Sequence, residues 1–258
     1  QLPGQFCRCV HPVELCSAAG RAYTLYRSRR ESRVRAQAMR SALTEQYTAM
    51  AQALGQMAGQ LGQTVAPDEG KTARLSALLA SLGLRGTGSH IAYDALRDDL
   101  DGCVRYCLEA GITSAACPGC EMNDRDQALA QAEFLEACAE RFGAEGIPFA
   151  YHNHAHEFAD AGNGETLFDV LLHNTSKLGA ELDVFWAAYA GVDPLAFIQT
   201  YAGRVPLLHF KEFGAENANV ELGRGCLDFA ALARAGLAQG TRELIVEQEQ
   251  YTMPPEES

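Results

Sequence analysis

From residue 71 onward the chain alternates strand-like apolar runs with amphipathic helical segments, and this rhythm limits its fold more than any other feature. GTGSHI, ITSAACPG, IPFAYHNH, GAELDVFW, VPLLHFKEF and RELIVEQEQ read as six strands. TARLSALLASLGL precedes the first as a helix. AYDALRDDLDGCVRYCLEAG, RDQALAQAEFLEACAERFGAEG, TLFDVLLHNT, DPLAFIQTYAG and CLDFAALARAGL supply a helical crossover after each of the first five. Asp193 and Pro194 give the DPLAFIQTYAG helix an N-cap and a proline in its first turn. Strict alternation implies parallel strands, which leaves an open doubly wound sheet or a closed eight-stranded barrel. No Gly-rich phosphate turn follows the first strand, so the expectation is an α/β chain of the (β/α)8 TIM-barrel type.

The first 70 residues do not share this rhythm. Residues 1–30 hold neither helical nor strand period for long, and residues 31–63 read as one long Ala/Gln/Met-rich helix with a break near Gly55. Only Ala22–Tyr26 hints at a strand there. The expected organisation is an atypical, partly helical segment over 1–70 and a TIM-barrel catalytic domain over 71–258, with incomplete first βα units. Eleven residues follow Glu247, so a shortened last helix is also expected. Charge divides at the same place: residues 1–70 carry +3 and residues 71–258 carry −15, for −12 overall. That acidity argues against nucleic acid or an anionic membrane as partner. No apolar run reaches the roughly 18 residues that a membrane span needs. Nine scattered cysteines read as reduced thiols in a cytoplasmic protein.

In such a barrel, reactive groups stand at the C-terminal ends of strands. Four consecutive strands end in residues able to bind a metal: Tyr151-His152-Asn153-His154, Leu182-Asp183, Leu208-His209 and Val246-Glu247. Ionisable groups leaving a buried wall are costly unless paired or liganded. Imidazoles and carboxylates converging at one barrel mouth suit a divalent ion such as Mn²⁺, Co²⁺, Zn²⁺, Mg²⁺ or Fe²⁺.

The runs YHNHAHEF, ELDVFWAAYAGVDP, YAGRVPLLHFKEF, ELGRG and LIVEQEQ, in this order over about residues 72–252, resemble the sugar phosphate isomerase/epimerase family, and within it the YHNH branch. The resemblance implies a xylose isomerase-like barrel holding one divalent ion through His152, Asp183, His209 and Glu247. It implies isomerisation or epimerisation of a sugar, keto-sugar or sugar phosphate by proton transfer next to a carbonyl. Glu247 would be base and ligand, and His152 ligand or partner acid. Ketose epimerases of this superfamily carry Glu at the His152 position and use a pair of carboxylates. The histidine here leaves isomerisation or elimination open, so a metal-dependent lyase or dehydratase on a keto-sugar or inosose-like polyol is the rival. A non-catalytic partial barrel is a further one. Endonuclease relatives carry a His three residues after the aspartate, where this sequence has Trp186, which points away from DNA cleavage.

Further candidates for substrate contact are Lys211, His154, Glu157, Trp186 and His90. Lys211 could hold a hydroxyl, carboxylate or phosphate, or be a surface charge. Trp186 could form a flat wall for a sugar ring, and Glu157 could line the mouth or pair with Arg204 or Lys211. Cys117-Pro-Gly-Cys120 has redox or zinc spacing, but a second such pair is lacking, so buried or rim thiols are expected. The expected partner is a small sugar, with room for a homo-oligomer.

Overall fold

The computed structural model describes residues 69–251. The N-terminal segment expected over 1–70 lies outside these residues except for Glu69 and Gly70, and residues 252–258 also lie outside. In chain order the elements are α1 (Glu69–Ser81), β1 (Gly88–His90), α2 (Tyr93–Asp98), α3 (Leu100–Ala110), β2 (Ser114–Cys117), α4 (Arg125–Gly143) and β3 (Phe149–His152). Then come α5 (Leu167–His173), β4 (Gly179–Asp183), α6 (Val184–Tyr189), α7 (Pro194–Thr200), β5 (Leu207–Phe210), β6 (Glu212–Phe213), β7 (Asn219–Val220), α8 (Phe229–Gln239) and β8 (Glu243–Val246). Among the described residues, six strands form one all-parallel sheet in the order β1-β2-β3-β4-β5-β8. β6 and β7 form a separate antiparallel pair.

The helices start where short acidic or hydroxyl side chains can satisfy free backbone N–H groups. Asp124, Asp193 and Asp228 cap α4, α7 and α8. Thr166 and Asp169 form a reciprocal capping box on α5. Two segments divide where the sequence pattern runs on. The first long crossover breaks at Asp99, which leaves helical geometry and caps α3 through the N–H of Gly102. GAELDVFW, expected as one strand, ends at Asp183, because that carboxylate accepts from the N–H groups of Phe185 and Trp186 and starts α6.

The register assigns each strand residue to a face. His90 pairs with Ala116, Ala116 with Ala150, His152 with Glu181, and Asp183 with His209. Side chains alternate along a strand, so these residues share one inner face. The opposite face carries Ala115, Cys117, Phe149, Tyr151, Leu182, Leu208 and Phe210, which join the large core beneath the helices. On the inner face the apolar cluster is small: Ala116, Ala150 and Leu207, with Ile245 against them. Small residues low in the inner face leave room for imidazoles and carboxylates above. Gly179 belongs to the same face, and a Cβ there would come within 2.7 Å of the Pro206 ring.

Candidate active site

Glu181, two residues before Asp183, sits at the centre of the inner face. One of its carboxylate oxygens, Oε1, lies 3.1 Å from His90 Nε2, 3.3 Å from His209 Nδ1 and 3.7 Å from His152 Nδ1. The side chain is 3% exposed. Burial pushes its pKa up, but the hydrogen bonds from His152, His209 and His90 outweigh that and hold the group strongly ionised. The sequence reading did not single out Glu181. The signal was present, since strand period two puts residue 181 on the face of Asp183.

Asp183 is fully buried. Its Oδ1 caps α6, while Oδ2 has no hydrogen-bond partner. Burial raises its pKa, opposed by the Trp186 N–H and the nearby His209 and His152. Asn153, also fully buried, fixes this corner from β3: its Oδ1 accepts from the Asp183 N–H at 3.0 Å and its Nδ2 donates to the Asp183 carbonyl. Two-point bonding of this kind holds the ends of β3 and β4 together.

His209 has two sides. Its Nδ1 is 3.4 Å from His152 Nδ1 and faces Glu181, while its Nε2 is 3.2 Å from Glu247 Oε2. Burial disfavours its charge, but Glu181 and Glu247 together lift its pKa to about 9. Glu247 follows β8, its N–H bonded to the Phe210 carbonyl, and its half-exposed carboxylate is held down at about 2, first by the His209 bond. Asp183, His209 and Glu247 can each offer a ligand atom within 4.8 Å of the others, and so can His90, His152, Glu181 and His209. The four residues His152, Asp183, His209 and Glu247 thus meet around His209, but through two overlapping groups.

Lys211 is not a surface charge. It is 1% exposed, with Nζ 2.5 Å from Glu249 Oε2, 3.6 Å from Glu247 Oε2, and near the Trp186 and Phe185 rings. Glu249 is presented by Asn219, whose Oδ1 accepts from the N–H groups of Glu249 and Gln250. Trp186 stands between Lys211 and the half-buried His154, whose pKa burial lowers to about 4. His154 is therefore neutral at pH 7. Glu157 points elsewhere: its oxygens accept from the Tyr151 hydroxyl and the His154 N–H, both at 2.9 Å, in full burial. Arg204 is likewise engaged, by Thr175 and Leu178. Cys117 and Cys120 are free thiols that burial pushes up to about 11 and about 12, so neither is a ready nucleophile.

Among the described residues no helix is long and apolar enough to cross a membrane. A family model described as a xylose isomerase-like TIM barrel matches residues 41–258. No curated protein matches significantly. Among solved structures, the chain is similar to a sugar phosphate isomerase/epimerase from Parabacteroides distasonis, with 21% identity and a TM-score of 0.63, over 75% of this chain and 72% of that one. It is similar to an L-ribulose 3-epimerase at 20% identity and TM-score 0.52, over 70% and 67%. A third is an IolI protein with a bound zinc atom, at 13% identity and TM-score 0.54, over 69% and 72%. At these identities the likeness is one of fold.

Proposed function

The chain belongs to the xylose isomerase-like TIM-barrel family, and from that premise we propose that it is a divalent-metal-dependent enzyme moving a proton next to the carbonyl of a sugar or keto-sugar. One observation carries the reading. Asp183 Oδ2 is buried without a hydrogen-bond partner, next to His209 and Glu247. An orphaned carboxylate oxygen is costly unless something positive meets it. Oxygen and imidazole donors of this kind suit a divalent cation, so the residues fit the group. Asp183, His209 and Glu247 would hold it, with His152 beside them. When bound, it supplies stabilisation of the negative charge that develops on neighbouring substrate oxygens.

The remaining work falls to the chain's own side chains. Trp186 offers a flat wall for the carbon face of the substrate. Lys211 is placed to donate to a hydroxyl, carboxylate or phosphate oxygen. Such an oxygen competes with Glu247 and Glu249 for the ammonium. Drawing Lys211 away raises the proton affinity of Glu247, which then takes the proton from the carbon next to the carbonyl. The neutral imidazole of His154 lies beside Trp186, within reach of the same space, and His152 is the partner acid. The similarity to a sugar phosphate isomerase/epimerase and an L-ribulose 3-epimerase supports a sugar as the substrate class.

A second reading stays in view because of Glu157. With its carboxylate engaged by Tyr151 and with His at position 152, neither of these two positions offers a second carboxylate to face Glu247 across a substrate. That favours one-base chemistry, either isomerisation or elimination, over two-base epimerisation. The test is incubation of the Mn²⁺-loaded protein with ketoses and keto-sugars in deuterated water, read by mass. Deuterium gain at unchanged skeleton mass supports isomerisation, and loss of water supports the lyase. Absence of exchange with every substrate refutes the proposal.

A further inference from the structure

Lys211 is the one lysine or arginine buried among the described residues, and its charge is already matched. Glu249 Oε2 lies 2.5 Å from Nζ and Glu247 Oε2 lies 3.6 Å away, so the ammonium stands between two carboxylates. Neither contact has hydrogen-bond geometry, and Nζ has no hydrogen-bond partner. An ammonium carries three N–H donors. Those of Lys211 are unused although its charge is neutralised. The backbone of Glu249 is held by Asn219, itself 4% exposed, whereas the Glu249 side chain is half exposed. The carboxylate can therefore give way to a ligand without a shift of its strand. The Trp186 ring lies 5.1 Å from Nζ, and the His154 ring stands 5.6 Å from that of Trp186.

We propose that Lys211 and Glu249 form a hydroxyl-selecting pair, which admits an uncharged sugar and turns away its phosphate ester. The inference rests on the sugar-site reading above and narrows its substrate class. A substrate hydroxyl accepts from Nζ and donates to Glu249, so both partners are satisfied. A phosphate or carboxylate oxygen also accepts from Nζ, but it has no proton for Glu249. It also brings its negative charge against Glu249 and Glu247. Selectivity then comes from a repulsive element as well as an attractive one, and Glu249 is the specificity-determining residue.

Trp186 is the only tryptophan of the chain, so its fluorescence reports occupancy of this space. Neutral ketopentoses and ketohexoses are titrated into the full chain at pH 8, with and without Mn²⁺. Each is compared with its terminal phosphate monoester, a dianion at that pH. The expected result is a ketose that binds at least about tenfold more tightly than its phosphate, and that inorganic phosphate does not displace. Glu249→Gln should shrink the preference at least about tenfold, while Glu249→Asp, which keeps the charge, should retain it. A residue that only neutralised Lys211 would change the affinity for both ligands alike. The inference is overturned if no neutral ketose binds, or if the phosphate esters bind the parent as tightly. It is also overturned if inorganic phosphate competes at matched ionic strength, or if the preference survives in Glu249→Gln shown by near-ultraviolet circular dichroism to be folded. The phosphate competition uses the parent alone and decides the matter should that variant not fold. Binding is read without turnover. A ketose that binds but never exchanges deuterium refutes the reaction proposed above and leaves this selectivity standing, and a phosphate ester that binds best does the reverse.

Discussion

The middle strands β2 to β5 and the outer strands β1 and β8 are built differently, although all six lie in one parallel sheet. Every residue of β2, β3, β4 and β5 is buried, whereas the strands at the two edges of the described sheet, β1 and β8, alternate exposed and half-buried positions. The candidate site follows the same division. His152, Glu181, Asp183 and His209 come from the middle and are encased, while His90 and Glu247 come from the edges with side chains 39% and 36% exposed. The encased groups are held by their neighbours, apart from the unpartnered Oδ2 of Asp183. The edge groups are the ones a substrate or ion can reach, so rigidity and access come from different strands.

The largest expected effect tests the edge. Glu247→Gln should cut turnover about 10²–10⁴-fold with little change in melting temperature, as measured by deuterium exchange on a responsive substrate. A comparable loss of stability instead would mean that Glu247 is structural and that the division between rigid and accessible strands fails there.

Next in size is a pair of truncations on the helix-facing side. Leu182→Ala, in the fully buried β4, should lower unfolding free energy by about 2–5 kcal/mol, while Val246→Ala, 63% exposed on β8, should stay within about 0.5 kcal/mol. Urea unfolding of both measures the difference. Equal losses would show that the edge is as tightly packed as the centre.

Asn153→Ala removes the two bonds that tie β3 to β4 at the site and leaves the Asp183 N–H unpaired. A loss of about 1–3 kcal/mol in the same unfolding experiment is expected, together with weaker metal binding. Binding unchanged in the folded variant would show that the Asp183 corner holds without its cross-strand clamp.

The smallest effect concerns the back of the middle strands. Burial pushes the Glu136 carboxyl up, but the Ser176 hydroxyl and the N–H groups of Ser176, Lys177 and Leu178 outweigh it, and the pKa is lowered. A lowered folded pKa contributes stability above the ordinary carboxylate range, lost as pH falls through the folded value. Glu136→Gln should therefore narrow the gap in stability between neutral and acid pH. A pH–melting curve parallel to that of the parent would remove Glu136 from the acid response.

Much of this architecture was legible in local pattern. The strands ending at His152 and Asp183 and running through His209 follow from apolar runs closed by a polar residue, and the helices follow from amphipathic spacing with Asp or Thr at their starts. The misses have physical causes. GAELDVFW has no local mark where strand becomes helix, because the event is the Asp183 carboxylate turning onto the N–H groups ahead of it. Lys211 left two readings open in the sequence, a substrate contact or a surface charge, because its burial depends on Glu249, brought to it by Asn219 from another strand. Glu181 looked like one acidic residue among 33 Asp and Glu.

The sequence by itself determined the alternating units, hence the parallel sheet and the end of it at which chemistry collects. Those properties depend on periods of two and 3.6 residues and on caps a few positions away. Only the tertiary structure decided which ionisable groups meet. Strand register sets His152 beside Glu181 and Asp183 beside His209, and brings His90 within 3.1 Å of a residue 91 positions along the chain. Electrostatics in a low-dielectric interior depends on those separations in space, and no local stretch of the chain encodes them.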